Sequence, residues 1–101
     1  MKRNRQDTSR ARRVRRQRAQ ILARLAEGRV VFLDVLEARR TGFQVLRQAD
    51  VWEILLHVPR LGRNGARQVC ERAGVWPHTR LGDLSAAQRQ ALVDHLPPRA
   101  K

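Results

Sequence analysis

Cysteine is almost absent from this 101-residue chain: Cys70 is its single copy, and tyrosine does not occur at all. One thiol excludes an internal disulfide and any cysteine-based zinc cluster. Acidic residues are scarce, 9 Asp+Glu against 22 Lys+Arg, for a formal net charge of +13. Long apolar runs are missing too. The longest is Val30–Val31–Phe32–Leu33, far short of the ~20 residues of a membrane span. No apolar segment follows the basic N-terminus, so no secretory leader is expected. Apolar residues make up 42%, enough for a small core but not for a core plus a catalytic cavity. What is expected is a small soluble cytoplasmic domain with a polyanionic partner.

The charge is unevenly distributed. Residues 1–20 hold nine basic side chains (Lys2, Arg3, Arg5, Arg10, Arg12, Arg13, Arg15, Arg16, Arg18) and one acid, Asp7. That segment carries +8, which leaves +5 for the other 81 residues. Such an arm attracts phosphate backbones and gains affinity through counterion release; the competing reading is a merely solvated tail. Arginine outnumbers lysine 20 to 2. Guanidinium forks suit phosphate oxygens, although GC-rich coding produces the same bias.

The patterning is helical throughout. Thr8 or Ser9 is placed to cap a first helix running to about Glu27 and stopping at Gly28. Only its turns from about Ala19 carry a firm apolar stripe (Ile21, Leu22, Leu25), so the earlier turns are expected to project or fray. Val30–Val31 suggests a strand, but no second strand candidate exists to pair with it. A helix over about Phe32–Arg40 is therefore expected, then a break at Thr41–Gly42 and a short helical stretch through Val45–Leu46. Val51, Ile54, Leu55 and Val58 mark a buried helical face ended by Pro59. Ala66, Val69, Cys70 and Ala73 repeat that spacing, with Gly74 as the C′ residue. Ser85 and Gln88 form a capping-box pattern for a last helix with Leu92 and Leu96 inward, stopped by Pro97–Pro98. The predicted fold is all-α: a long basic N-terminal helix followed by a small helical bundle.

Between the two best-patterned helices lies Pro59-Arg60-Leu61-Gly62-Arg63-Asn64-Gly65, followed by Ala66 and Arg67. Two glycines permit positive φ and close backbone approach to a ligand. A helix N-terminus there offers unpaired N–H groups and a positive dipole end, which suits phosphate. Arg60, Arg63 and Arg67 add full charges, and Leu61 is expected to plug into the core. The bland alternative is an ordinary interhelical turn with solvated arginines. A second turn, from Gly74 to Leu84, presents Thr79 and Arg80 close to the start of the Ser85 helix, and both turns are expected on one surface.

These residues resemble a known family. Val58 to Arg67, then Ala73-Gly74-Val75, Thr79-Arg80-Leu81-Gly82-Asp83-Leu84 and Gln88-Arg89 are similar to a helix–two-turns–helix module. Upstream, Ala19-Gln20-Ile21-Leu22-Ala23-Arg24-Leu25, Gly28 and Val35-Leu36 resemble the actinobacterial (mycobacterial-type) integration host factor, over roughly Arg10 to Leu96. The resemblance implies a nucleoid-associated protein that binds duplex DNA with little sequence preference, bends it, and sometimes assists a phage integrase or recombinase. It divides the chain into a basic arm at 1–18, a helical DNA-binding domain at 19–96 with the module at about 50–96, and a tail at 97–101. Its DNA-binding positions carry over to Arg60, Gly62, Arg63, Gly65, Arg67, Thr79 and Arg80; Asn64 within the corner and Arg12, Arg13 and Arg16 of the arm are expected to add to them. Hairpins of this type often have glycine where Arg60 stands, and the family's second turn is often basic where Thr79 and Gly82 stand. A ribosomal small-subunit protein with the same module, binding RNA, is the alternative. A glycosylase is not, because the chain lacks a zinc-finger cysteine set and an N-terminal nucleophile after Met1.

No catalytic set emerges, so no enzyme is expected and no cofactor or metal is implied. Cys70 lies on an apolar stripe and reads as a core residue. His57, His78 and His95 are far apart in sequence and lack second ligands. Trp52 and Trp76 are read as packing residues, with base stacking as the alternative. Asp34 and Glu37 read as a solvated face. The basic helix 9–26 is too narrow in apolar face, and too poor in aromatics, for a membrane surface. Nothing resembles a long dimer seam, so a monomer is expected.

Overall fold

A run without proline or glycine from Arg5 to Ala26 allows one uninterrupted helix. In the computed structural model, which describes residues 5–37 and 43–100, α1 spans Arg5–Ala26. It starts upstream of the expected Thr8/Ser9 cap. Its stop is built by Gly28 at φ 76°: Arg29 N–H donates to Arg24 O at 2.8 Å and Gly28 N–H to Leu25 O at 3.1 Å, the Schellman pattern. Only the C-terminal half packs. Ile21, Leu22 and Leu25 are buried, whereas residues 9–20 are exposed apart from half-buried Val14 and Arg18. The molecule measures 48 × 25 × 25 Å, the long axis reflecting a helix of about 33 Å that outruns the bundle.

Helix α2 covers Phe32–Leu36, shorter than the expected Phe32–Arg40. Glu37 already leaves helical geometry at φ −85°, ψ 41°; Ala38–Arg40 and the expected break at Thr41–Gly42 lie outside the described residues. A single 3-10 turn follows at Gln44–Leu46. Helix α3 is Val51–Leu56. It ends two residues before Val58, because the chain tightens into i→i+3 bonds (Val58 N–H to Leu55 O, 3.0 Å) that carry Val58 into the core as part of a turn. Helix α4 is Gly62–Ala73, closed by a second Schellman turn at Gly74 (φ 68°), with Val75 N–H on Cys70 O at 3.0 Å. After a 3-10 turn at Leu81–Asp83, α5 spans Ala86–Asp94. Its capping box forms: Ser85 Oγ accepts from Gln88 N–H at 3.1 Å, and Ser85 N–H donates to Gln88 Oε1 at 2.8 Å. A final 3-10 turn, Pro98–Ala100, brings Ala100 back against the core.

The fold is all-α, with no strand among the described residues. Helix α4 packs between α3 and α5, α2 packs on α5, and the Gln44–Leu46 turn supports α1. The core draws on every helix: Leu25, Phe32, Leu46, Ile54, Val69 and Leu92 are essentially inaccessible. No polar or charged side chain is buried with them among the described residues. Cys70 is one of the core residues, and burial, with a smaller contribution from Glu71, pushes its thiol up from 9.0 to about 11.

Two outcomes follow. Leu92→Ala opens a cavity at the α4–α5 contact and should cost about 2–5 kcal/mol in urea denaturation. Because the folded state disfavours the Cys70 thiolate, this thiol should leave stability unchanged below pH 9.0 and lower it as pH rises from there toward about 11. Cys70→Ala should abolish that decline in alkaline denaturation curves.

Candidate nucleic-acid interface

The corner between α3 and α4 is built around one inward side chain. Leu61 is buried, while its neighbours Arg60 and Gly62 turn outward with φ 65° and 72°. Arg60 is the sole non-glycine residue with positive φ among the described residues, a conformation costing about 1–2 kcal/mol for a side chain with a Cβ. Gly65 does not lie in the turn, as the sequence suggested, but inside the first turn of α4. It is glycine for packing: a Cβ there would stand 2.8 Å from Leu61 Cδ1. Gly62 meets nothing within 4 Å, so its requirement is conformational.

Arg60, Arg63 and Arg67 are all exposed, and none bonds through its side chain to another described residue. Arg63 and Arg67 are one helical turn apart on α4. No side chain caps that helix, whose N-cap position is Leu61, so its first N–H groups keep their capacity for an external acceptor. Asn64 is exposed beside them. The N-terminus of α5 differs, since its own Ser85 and Gln88 fill that role. The corner therefore combines an open helix N-terminus with three guanidinium groups that have no partner among the described residues.

The second turn is held elsewhere. Residues 77–82 hydrogen-bond along the approach to α3: Trp52 N–H to Pro77 O, Val51 N–H to Thr79 O, Leu81 N–H to Ala49 O and Gly82 N–H to Arg47 O, each at 2.9 Å. Thr79 and Arg80 thus sit beside the N-terminus of α3, and the Arg60 corner follows its C-terminus. Six residues of helix separate them along α3, about 9 Å. Thr79 is half-buried; Arg80 is exposed and donates to Gln48 Oε1 at 2.7 Å. Sequence reading missed Arg47. Its backbone lies so close to Gly82 that a Cβ there would meet Arg47 O at 3.2 Å and Arg47 Nε at 3.4 Å. A cation is therefore delivered beside Gly82 from a segment 35 positions upstream, a proximity that no local pattern announces.

On α1, Arg12, Arg13 and Arg16 are exposed. Arg15 and Arg18, also passed over, line a cleft of about 510 Å³ with Glu53 and His57. Arg18 Nε is buried without a hydrogen-bond partner, and His57 Nδ1 donates to Glu53 O at 2.8 Å. The cleft lies between the arginine-rich helix and α3 with its C-cap residue His57. Trp52 is half-buried against the core as expected, but Trp76 is not packed: it is 68% exposed. Val75 takes the buried place after the Gly74 turn, and the next side chain is turned out. Among the described residues no group of His, Cys, Asp and Glu is arranged to hold a metal, and no helix is long and apolar enough to cross a membrane.

This all-α arrangement is shared with a solved nucleic-acid complex. The structure of sIHF bound to an 8 bp palindromic DNA matches it with a TM-score of 0.77 and 25% identity, over 88% of this chain and 99% of that one. No protein-family model matches the sequence, and neither does any curated protein.

Arg60→Gly removes the Cβ strain but adds unfolded-state freedom of about 0.5–1 kcal/mol, so a net stabilisation of about 0.5–1 kcal/mol is expected. Arg60→Ala removes the same charge without relieving φ and should unfold at the parental midpoint. Thermal unfolding of the pair separates strain from charge.

Proposed function

We propose that this protein is a DNA architectural protein that binds duplex DNA through its phosphates, with little sequence preference, and bends it. The observation that carries this reading is the corner itself: Arg60, Arg63 and Arg67, exposed and unpaired around the uncapped N-terminus of α4. A phosphate placed there receives backbone N–H groups, the helix dipole and guanidinium donors together. The similarity to a DNA-bound sIHF supports DNA as the polyanion, and the ribosomal RNA alternative gains no support from it. Strain at Arg60 fits the same reading, since a glycine would relieve it and only a side chain supplies the charge.

Gly62 lets the backbone approach the phosphate, Asn64 adds a neutral donor, and Gly65 keeps Leu61 seated beneath them. Thr79 and Arg80, with Arg47 beside them, form the second anchor. Arg12, Arg13 and Arg16 form the third, on the segment 1–18 that serves as a basic arm to the 19–96 domain, with 97–101 as its tail. Along α1, Arg16 stands three residues after Arg13 and four after Arg12, spacings at which like charges destabilise an isolated helix by a few tenths of a kcal/mol per pair. Bound phosphates remove that repulsion. The protein acts as a non-catalytic, monomeric component of the bacterial nucleoid in the cytoplasm, with service to a phage integrase as a further role.

Arg63→Ala/Arg67→Ala should weaken binding equally on unrelated duplexes and flatten the slope of log K against log salt by about 0.9 per lost contact. An unchanged slope would remove the corner from the interface. Ligase-catalysed circularisation of short fragments tests bending: circle yield should rise with added protein, and a flat yield would refute the architectural role. Structured RNA should compete less well than duplex DNA at equal nucleotide concentration.

A further inference from the structure

Trp76 is the most exposed large apolar side chain among the described residues, at 68%, and the turn that carries it is hydrogen-bonded on both sides. On one side Gly74 and the Val75 N–H bond to Cys70 O (3.0 Å) fix the backbone; on the other, Pro77 O accepts from Trp52 N–H at 2.9 Å. The His78 ring meets the indole edge-on, with centroids 5.4 Å apart at 66°. His78 is itself tethered through Nδ1 to Asp50 Oδ2 at 3.2 Å. An indole kept in water on so braced a turn is prepared for a contact outside this chain.

Its surroundings say which contact. Trp76 and Pro77 form one end of a shallow hollow of about 580 Å³ whose wall on α4 carries Arg67 and Glu71. Arg67 belongs to the cationic corner, so the hollow is continuous with the phosphate-binding surface. Glu71 lies one turn further along α4 and repels a phosphate from the indole end. Arg67 and Trp76 line the same hollow, so a duplex held through a phosphate at Arg67 has the indole beside it. We infer that Trp76 is a base-contacting wedge, an aromatic side chain that stacks against a base step of duplex DNA and opens it toward the protein. Stacking of this kind tolerates any sequence because every base has a π-face, and apolar wedges convert unstacking into a bend. The inference rests on the duplex-DNA reading above and adds to it a contact with the bases.

The test uses the full chain carrying Trp76→Ala, Trp76→Phe or, so that Trp76 is the sole emitter, Trp52→Phe. A short duplex of mixed sequence, labelled at both ends for energy transfer, is the probe. Trp76→Ala should lose about 5- to 150-fold in affinity, with an unchanged salt slope and a straighter duplex, and Trp76→Phe should recover most of the loss. In the Trp52→Phe chain, emission should be quenched as DNA is added. Emission that does not respond to DNA would overturn the inference. So would affinity within about 2-fold of parent with an unchanged bend, or a loss in Trp76→Ala accompanied by a flattened salt slope. If Arg63→Ala/Arg67→Ala leaves the slope intact, the corner reading fails instead, and that result is separate from the Trp76 measurements.

Discussion

The contact between Leu61 and Gly65 governs the geometry of the α3–α4 corner. With Leu61 drawn into the core and a Cβ at Gly65 excluded by its Cδ1 at 2.8 Å, the residues on either side must turn outward. They do so at positive φ, which Gly62 accepts and Arg60 endures. The outward turn presents the Arg60 guanidinium and leaves the N-terminus of α4 without a side-chain cap. An apolar plug a few ångströms deep thus decides where charge stands on the surface. The exposed flank of α4 carries Arg63, Arg67 and Glu71, and the last two line the hollow that Trp76 also lines.

Electrostatics supplies the complementary half. The chain carries +13, and the corner arginines have no acidic partner among the described residues. In α1 the fully buried residues are Ile21, Leu22 and Leu25, so the preceding turns, where Val14 and Arg18 are half-buried, receive less tertiary support against repulsion between their arginines. A bound polyanion would turn this repulsion into attraction. Arg15 and Arg18 line a cleft between α1 and α3 that Glu53 and His57 share.

Features set by neighbours in the chain were legible in the residue pattern. The glycine stops at Gly28 and Gly74 and the Ser85–Gln88 cap follow from interactions spanning five residues or fewer, and the apolar stripe of α4 and the inward Leu61 were marked by residue type and spacing. Helix ends were less readable. Helix α3 stops at Leu56 because the core takes Val58 through a tightened turn, and α4 begins at Gly62 because Gly65 is needed inside it against Leu61. The same pairing with Leu61 explains why Gly65 looked like a turn residue: its glycine requirement comes from a contact, not from φ.

Composition and short-range spacing were enough to establish an all-α chain, its helix stops, a surplus of guanidinium groups and a glycine-bearing corner. They could not establish which cations share a surface. Arg47 beside Gly82, the 77–82 turn laid along the start of α3, and the indole of Trp76 facing solvent while Trp52 packs all depend on segments about 25 to 35 residues apart being brought together. Helical hydrogen bonds and caps act within a turn or two and leave their trace in residue spacing. Contacts between distant segments arise only when a shared core folds, and a side chain's direction relative to that core is then decided by what has already filled it.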